Sequence, residues 1–342
     1  MGRRILLVAN PTAQSGKARP RIDRAARRLR ERGHEVRLLP TEPGDRTVTL
    51  VKEAIDEEGW DLVVYLGGDG TFAQVAKGIL AASETPPLGM LPSGTANDQG
   101  RSFGISSHLE DLERNLDIIE AGHLTQLDVG RVGRMGSDGR IDALEQVFHS
   151  VGWGIQPEIL SERNRDRELV DSIPLVRDLY RDQAVYAGAT VKRYLASWVE
   201  PTKFDVEVIA DGRRRRYQRL TDLVINATPV YGGAWVLDRA AEPDDGRFEI
   251  VPIAGRRDWA GRALRDLAQS PIDHDELASL VVPQAEGLSA TEVELHFRRP
   301  QRTEIASQVD GEQWVSGQQF RLTVLPRALP VITPAGFVPP WR

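Results

Sequence analysis

Four apolar runs in the first hundred residues, each ending at a polar turn, constrain this chain more than any other feature. "RILLVAN" (4–10), "HEVRLLPT" (34–41), "DLVVYL" (61–66) and "PLGML" (87–91) read as strands. Between them "ARPRIDRAARRLRERG", "VTLVKEAIDEEG" and "TFAQVAKGILAAS" carry apolar residues at helical spacing, with Gly33 and Gly59 as stops. Strands alternating with helices across short turns predict a parallel sheet covered on both faces, with functional loops at the strand C-terminal ends.

After residue 127 the pattern changes to short, partly alternating runs joined by Gly, Asp and Pro: "QLDVGRV", "EQVFHSVGWG", "KFDVEVIADGRRRRYQRLTDLVINAT", "RFEIVPI", "TEVELHF", "TEIASQVDGEQW" and "QFRLTVLP". Two helical stretches, "PLVRDLYRDQAVYAGATVKRYLASWVE" and "DWAGRALRDLAQS", interrupt them. At 342 residues the chain is long enough for two cores. The expectation is an α/β domain over 1–127, a β-rich antiparallel sandwich over 128–326, and a tail over 327–342 returning to the first domain, with the active-site cleft between the two domains.

The remaining composition narrows the function. A formal net charge of -6 argues against a dedicated nucleic-acid binder. The absence of cysteine removes disulfides and thiolate chemistry and fits a reducing compartment. No apolar run approaches membrane-spanning length, and the first stops at Asn10-Pro11, too short for a signal peptide. The expected location is cytoplasmic. The basic clusters "RAARRLRERG" at 24–33 and Arg213 to Arg216 read first as solvated surface and second as contacts for anionic headgroups.

Three loops carry the chemistry. "NPTAQSGKA" (10–18) fails as a Walker loop, because Pro11 and Ala18 stand where Gly and Ser or Thr are required. Gly67-Gly68-Asp69-Gly70-Thr71 opens a helix, where bare N–H groups suit a phosphate. Asp69 would repel that phosphate unless a divalent cation stood between them, so Mg-nucleotide fits better than a metal-free dinucleotide. "LPSGTAND" (91–98) places hydroxyls, an amide and Asp98 at another helix start. Helix capping explains its residues singly, but not two acid-bearing loops at neighbouring strand ends.

Together "GGDGT" and "LPSGTAND", with "NPTAQSGK" ahead and "DDG" and "VDGE" behind, resemble the diacylglycerol kinase catalytic-domain family of lipid kinases. The resemblance implies ATP contacts at Asn10, Thr41, Gly67, Gly68, Asp69, Gly70, Thr71, Phe72 and Thr95. It implies a water and Mg2+ network on Asp69, Asp98 and Asp128, and a structural Mg2+ on Asp245 with the carbonyls of Glu242 and Arg247. Asp244 and Arg247 depart from the family's usual residues there. In "VDGE" the resemblance makes Asp310 the base and Glu312 its helper, where the bare sequence reads as a hairpin turn. Asp69 is the second candidate for the base.

The implied activity is phosphoryl transfer from Mg-ATP to a lipid hydroxyl at the inner membrane face, through peripheral contact. The acceptor is diacylglycerol, a sphingoid base or ceramide. An NAD kinase-like enzyme and a non-catalytic nucleotide- or lipid-binding module are the alternatives. A homodimer is compatible with the chain and not required by it. Trp153, Tyr180, Tyr186, Tyr194, Trp198 and Trp235 read as core before acyl cleft. In "INATPVYGGAWV" the resemblance implies that Asn226, Gly232 and Gly233 border the acceptor site.

Overall fold

The computed structural model describes residues 2–11, 18–94, 96–155, 157, 203–232, 235–238, 240–254, 287–299 and 304–337. Both helical stretches expected in the second half, and with them Tyr180, Tyr186, Tyr194 and Trp198, lie outside the described residues.

The first part alternates as its periodicity predicts: β1 (Arg4–Ala9), α1 (Arg19–Glu31), β2 (Glu35–Pro40), α2 (Arg46–Glu58), β3 (Leu62–Gly67), α3 (Asp69–Ala81), β4 (Leu88–Pro92), α4 (Asp98–Ser102) and α5 (Leu112–Ala121). β1 lies between β2 and β3, β4 lies beyond β3, and all the pairings are parallel. Strands apolar on both faces need two covers. One face packs on Val51, Phe72, Val75 and Ile79 of α2 and α3. The other packs on Ile22 and Leu29 of α1 and Leu116 and Ile119 of α5.

The rest is strand: β5 (Leu124–Met135), β6 (Ile141–Val147), β7 (Ser150–Gly154), β8 (Phe204–Ala210), β9 (Arg213–Leu220), β10 (Asp222–Asn226), β11 (Val230–Tyr231), β12 (Trp235–Val236), β13 (Phe248–Ile253), β14 (Leu288–Ala290), β15 (Glu292–Arg298), β16 (Ser307–Val309), β17 (Glu312–Gln313) and β18 (Gln319–Ile332). A sheet ordered β14-β13-β10-β7-β16-β17 faces β8, β9, β15 and β18 across a core holding Trp153, Phe204, Phe248, Phe297 and Phe320. Trp153 is fully buried among Phe297 and Phe320, which makes it core rather than cleft.

Two long strands join the halves. β18 pairs with β15 through Phe320 and Leu322 in the second core, then with β4 at Val331 in the first sheet. Its register with β5 shifts between Leu325 and Leu329, where Arg327 takes a φ of 53°. The segment 327–332 is thus the second half of a strand, and the 127/128 boundary falls inside β5. Within β5, Leu127 and Val129 belong to the first core and Val132 to the second. The result is a two-part α/β and β fold on one ten-stranded mixed sheet.

Candidate active site

The two glycine loops meet each other before they meet any ligand. A Cβ on Gly94 would lie 2.5 Å from the Gly68 Cα, and one on Gly67 would collide with the Thr71 side chain. Ser93 donates its N–H to the Gly67 carbonyl at 2.7 Å. Gly67, Gly68 and Gly94 therefore let two strand ends pack backbone to backbone. Asn97 completes the turn in a left-handed conformation (φ 53°), its amide bonded to both the N–H and the carbonyl of Gly94 at 2.7 Å.

Asp69 sits in the first turn of α3, and its carboxylate accepts the Gln99 N–H at 3.3 Å in the first turn of α4. Exposed N–H groups at helix starts favour an acid, so Asp69 has a structural place even without a metal. Phe72 requires a correction. It is 1% exposed and packs edge-on against Tyr65 and Phe148, with centroids 5.4 and 5.6 Å away. On the first turn of α3 it falls on the sheet side of the helix, supports the turn from beneath and does not line the cleft that opens beside it.

A cleft of about 480 Å³ opens beside α3 and is lined by Asn10, Thr41, Gly70, Thr71, Asp310 and Glu312 among others. Asn10 and Thr41 follow β1 and β2, Gly70 and Thr71 open α3, and Asp310 and Glu312 come from the β16–β17 hairpin. Residues from four parts of the chain thus converge, three of them at strand ends of the parallel sheet as the strand-end rule predicts and the fourth from an antiparallel hairpin. Thr95 and residues 12–17 of the first loop lie outside the described residues.

Asp310 is both a turn residue and a cleft residue. Its φ of 50° and that of Gly311, 82°, make the tight hairpin. Its Oδ1 accepts N–H groups from Phe148, His149 and Ser150 at 3.2, 2.9 and 3.1 Å, while Oδ2 accepts the Phe148 N–H at 3.0 Å. The junction between β6 and β7 therefore aims the carboxylate and leaves Oδ2 with the fewer bonds. Glu312 is exposed at the rim.

His149 was not singled out by sequence reasoning. Its ring is buried, with Nε2 3.8 Å from Asp98 Oδ2 and 4.0 Å from Asp310 Oδ1, and Nδ1 has no partner. Burial pulls its pKa down, but the charges of Asp310, Asp98 and Asp69 outweigh that and leave it raised. A lone histidine between apolar strands gives no sequence signal that separates it from an ordinary core residue. Asp98 Oδ2 also accepts the Gly232 N–H at 3.0 Å, so the segment after β10 is tied to the glycine loops. Asn226 is fully buried with both side-chain polar atoms unpartnered; Gly233 lies outside the described residues.

The acids assigned to metal divide into two places. Asp69 and Asp98 stand beside His149. Asp128 is tied elsewhere: its carboxylate accepts N–H groups from Gly246 and Arg327, and its own N–H bonds the Pro243 carbonyl at 2.7 Å. Burial, then the charge of Asp244, lifts the Asp128 pKa despite those bonds. Partial burial and the charges of Asp128 and Glu242 do the same for Asp245, whose Oδ1 accepts the Arg247 N–H at 2.9 Å. Among the described residues no three His, Asp or Glu side chains are grouped so as to hold a metal ion by themselves.

The arginine clusters are largely engaged. Arg28 and Arg32 bond Glu113, Arg32 also pairs with Asp117, and Arg216 bonds Glu207. Among the described residues no helix is long and apolar enough to cross a membrane.

Comparison with known proteins bears out the resemblance read from the motifs. The family model for the diacylglycerol kinase catalytic domain matches residues 4–132. Diacylglycerol kinases from Staphylococcus aureus strains bovine RF122 / ET3-1 and MRSA252 are each 35% identical over 133 residues. Those matches cover 39% of this chain and 41% of the relative. The fold match is longer: a diacylglycerol kinase crystal structure from Bacillus anthracis str. Sterne aligns with a TM-score of 0.67 at 16% identity, covering 98% of each chain. Yeast NADH kinase complexed with NADH aligns with a TM-score of 0.54 at 11% identity, over 97% of this chain and 84% of its own.

Proposed function

We propose that this protein is a lipid kinase that transfers the γ-phosphoryl group of Mg-ATP to the hydroxyl of a lipid such as diacylglycerol, a sphingoid base or ceramide. The observation that carries this reading is the meeting of Asp310 with the Gly70–Thr71 turn in one cleft. Phosphoryl transfer needs a positioned phosphate and one carboxylate that reaches the incoming oxygen. The N–H groups at the start of α3 hold the phosphates. The acceptor oxygen forms its bond to the γ-phosphorus as the bond to the bridging oxygen breaks; ADP leaves with that electron pair, and Asp310 Oδ2 takes the hydroxyl proton.

The donor set fits Mg2+ arriving with the nucleotide. Glu42, Asp45, Asp310 and Glu312 line the cleft beside the Lys77–Glu145 ion pair, and Lys77 is the only cation among its described lining residues. A bare triphosphate would be repelled there; a divalent cation supplies the missing positive charge, held by one or two carboxylates and the phosphates. Asp69 and Asp98, beside the cleft-forming turn and His149, would serve its water shell. A second, structural cation would be held by Asp245 with the carbonyls of Glu242 and Arg247.

Contact with the membrane surface is peripheral in this reading. The test offers γ-labelled ATP with diacylglycerol, a sphingoid base, ceramide and NAD. Label in a lipid, lost in Asp310→Ala with ATP binding kept, supports the proposal. Label in NAD alone would move the assignment to the dinucleotide kinases whose fold this chain shares, and tight Mg-ATP binding without any transfer would leave a binding module.

A further inference from the structure

The residues of α3 that line the cleft are Gly70, Thr71, Ala73, Gln74 and Lys77, and from Gly70 the residues Ala73, Gln74 and Lys77 follow at helical spacings of three, four and seven. The stripe begins at the phosphate-binding turn and ends at a lysine. Lys77 Cα lies about 10 Å along the axis from Gly70, and helical side chains lean back toward the N-terminus. Its ammonium is thereby carried toward the turn. In the structure Lys77 Nζ pairs with Glu145 Oε1 at 2.7 Å, across the cleft from α3 to β6. Both side chains remain partly solvated, 24% and 27% exposed.

We infer that Lys77 is a nucleotide-binding residue, parked on Glu145 when the cleft is empty and transferred to the polyphosphate when Mg-ATP enters. This rests on the kinase reading and adds a residue to it. A partly exposed ion pair contributes roughly 0–1 kcal/mol, so releasing Glu145 costs little. A charge-assisted bond to phosphate is about twice as strong as a neutral one. Lys77 is also the only cation among the described residues lining that cleft. Glu145 keeps a partner after the exchange, because its Oε1 already accepts the Gln146 N–H at 2.8 Å.

The pair gives a signed test. If Lys77–Glu145 is only a strut between two walls, removing either charge breaks the same contact and moves nucleotide affinity the same way. If Lys77 is a ligand with Glu145 as its resting competitor, the two substitutions act in opposite directions. Calorimetric titration of the intact protein with Mg-ATP and with adenosine reads this directly. Lys77→Met is expected to weaken Mg-ATP by about tenfold or more, Lys77→Arg to keep most of the affinity, and Glu145→Gln to tighten Mg-ATP by about two- to fivefold, with adenosine unmoved throughout. Equal weakening in Lys77→Met and Glu145→Gln, or no change in either, overturns the inference and leaves the kinase reading standing. No Mg-ATP uptake by the wild-type protein overturns both.

Discussion

The turns Asp211–Gly212 and Asp310–Gly311 are one piece of chemistry in two places. Each aspartate is left-handed, with φ of 47° and 50°, and each glycine follows at 76° and 82°. Each carboxylate is caught by another segment: Asp211 Oδ1 accepts the N–H and hydroxyl of Thr291 and the N–H of Glu292, as Asp310 Oδ1 accepts three N–H groups near β7. Only surroundings separate them. Asp211 joins β8 to β9 on an outer strand pair, whereas Asp310 opens into the cleft beside Gly70. A tight turn with a docked acid is a structural device, and becomes an active-site device through what lies opposite.

The largest expected difference is in turnover. Asp310→Asn keeps a residue that tolerates a left-handed backbone and still accepts N–H bonds, so the fold should hold while transfer falls about 10²- to 10⁴-fold. Asp211→Asn should leave transfer unchanged in the same assay with labelled ATP and diacylglycerol. Comparable losses in both would mean that the turn acts through folding alone.

A smaller effect separates buried Glu249 from exposed Asp211 by pH. Burial pushes the Glu249 carboxyl up to about 7 from an ordinary 4.5. A raised folded pKa favours the protonated form, so stability falls as pH climbs from the unfolded value through the folded one. Glu249→Gln should therefore be stabilising at pH 8, on the order of 1–3 kcal/mol, and near neutral at pH 4, as read by urea unfolding at the two pH values. Asp211 runs the other way: burial raises it, but the bonds from Glu292 and Thr291 and the Arg247 charge together hold it lowered. Its contribution is present above the unfolded value and lost as pH falls.

The glycines refine the comparison further. No atom lies within 4 Å of a Cβ placed on Gly212 or Gly311, so alanine there is penalised by backbone conformation alone. Each substitution should cost about 1–2 kcal/mol in thermal unfolding. Only Gly311→Ala should also lower transfer, because it alone displaces an acid in the cleft. The smallest expected effect is Asp211→Asn on stability, a modest drop in Tm at pH 7 that shrinks as the solution is acidified toward about pH 3.

Much of the first half was legible because its signals are local. Periodicity places β1 to β4 and α1 to α3, and glycines at the strand ends mark the loops that meet. The division at 127/128 was less legible, since β5 and β18 each run through both cores and no local pattern says which sheet a strand will join next. Asp310 was visible through "VDGE", although the same letters describe a plain hairpin and the structure contains that hairpin too. Phe72 was misplaced because adjacency to a glycine loop does not reveal which side of a helix a ring will take. His149 was missed because its three acids come from positions 69, 98 and 310, and only the folded chain assembles them.

A cleft lined by acids should accept a triphosphate only in company with a divalent cation. Calorimetry of ATP on the intact protein, with Mg2+ and then with excess chelator, tests it most directly. Uptake is expected with Mg2+, little without it, and the same Mg-dependent uptake in Asp310→Asn. Equal affinity for ATP in the presence and absence of the metal would contradict it.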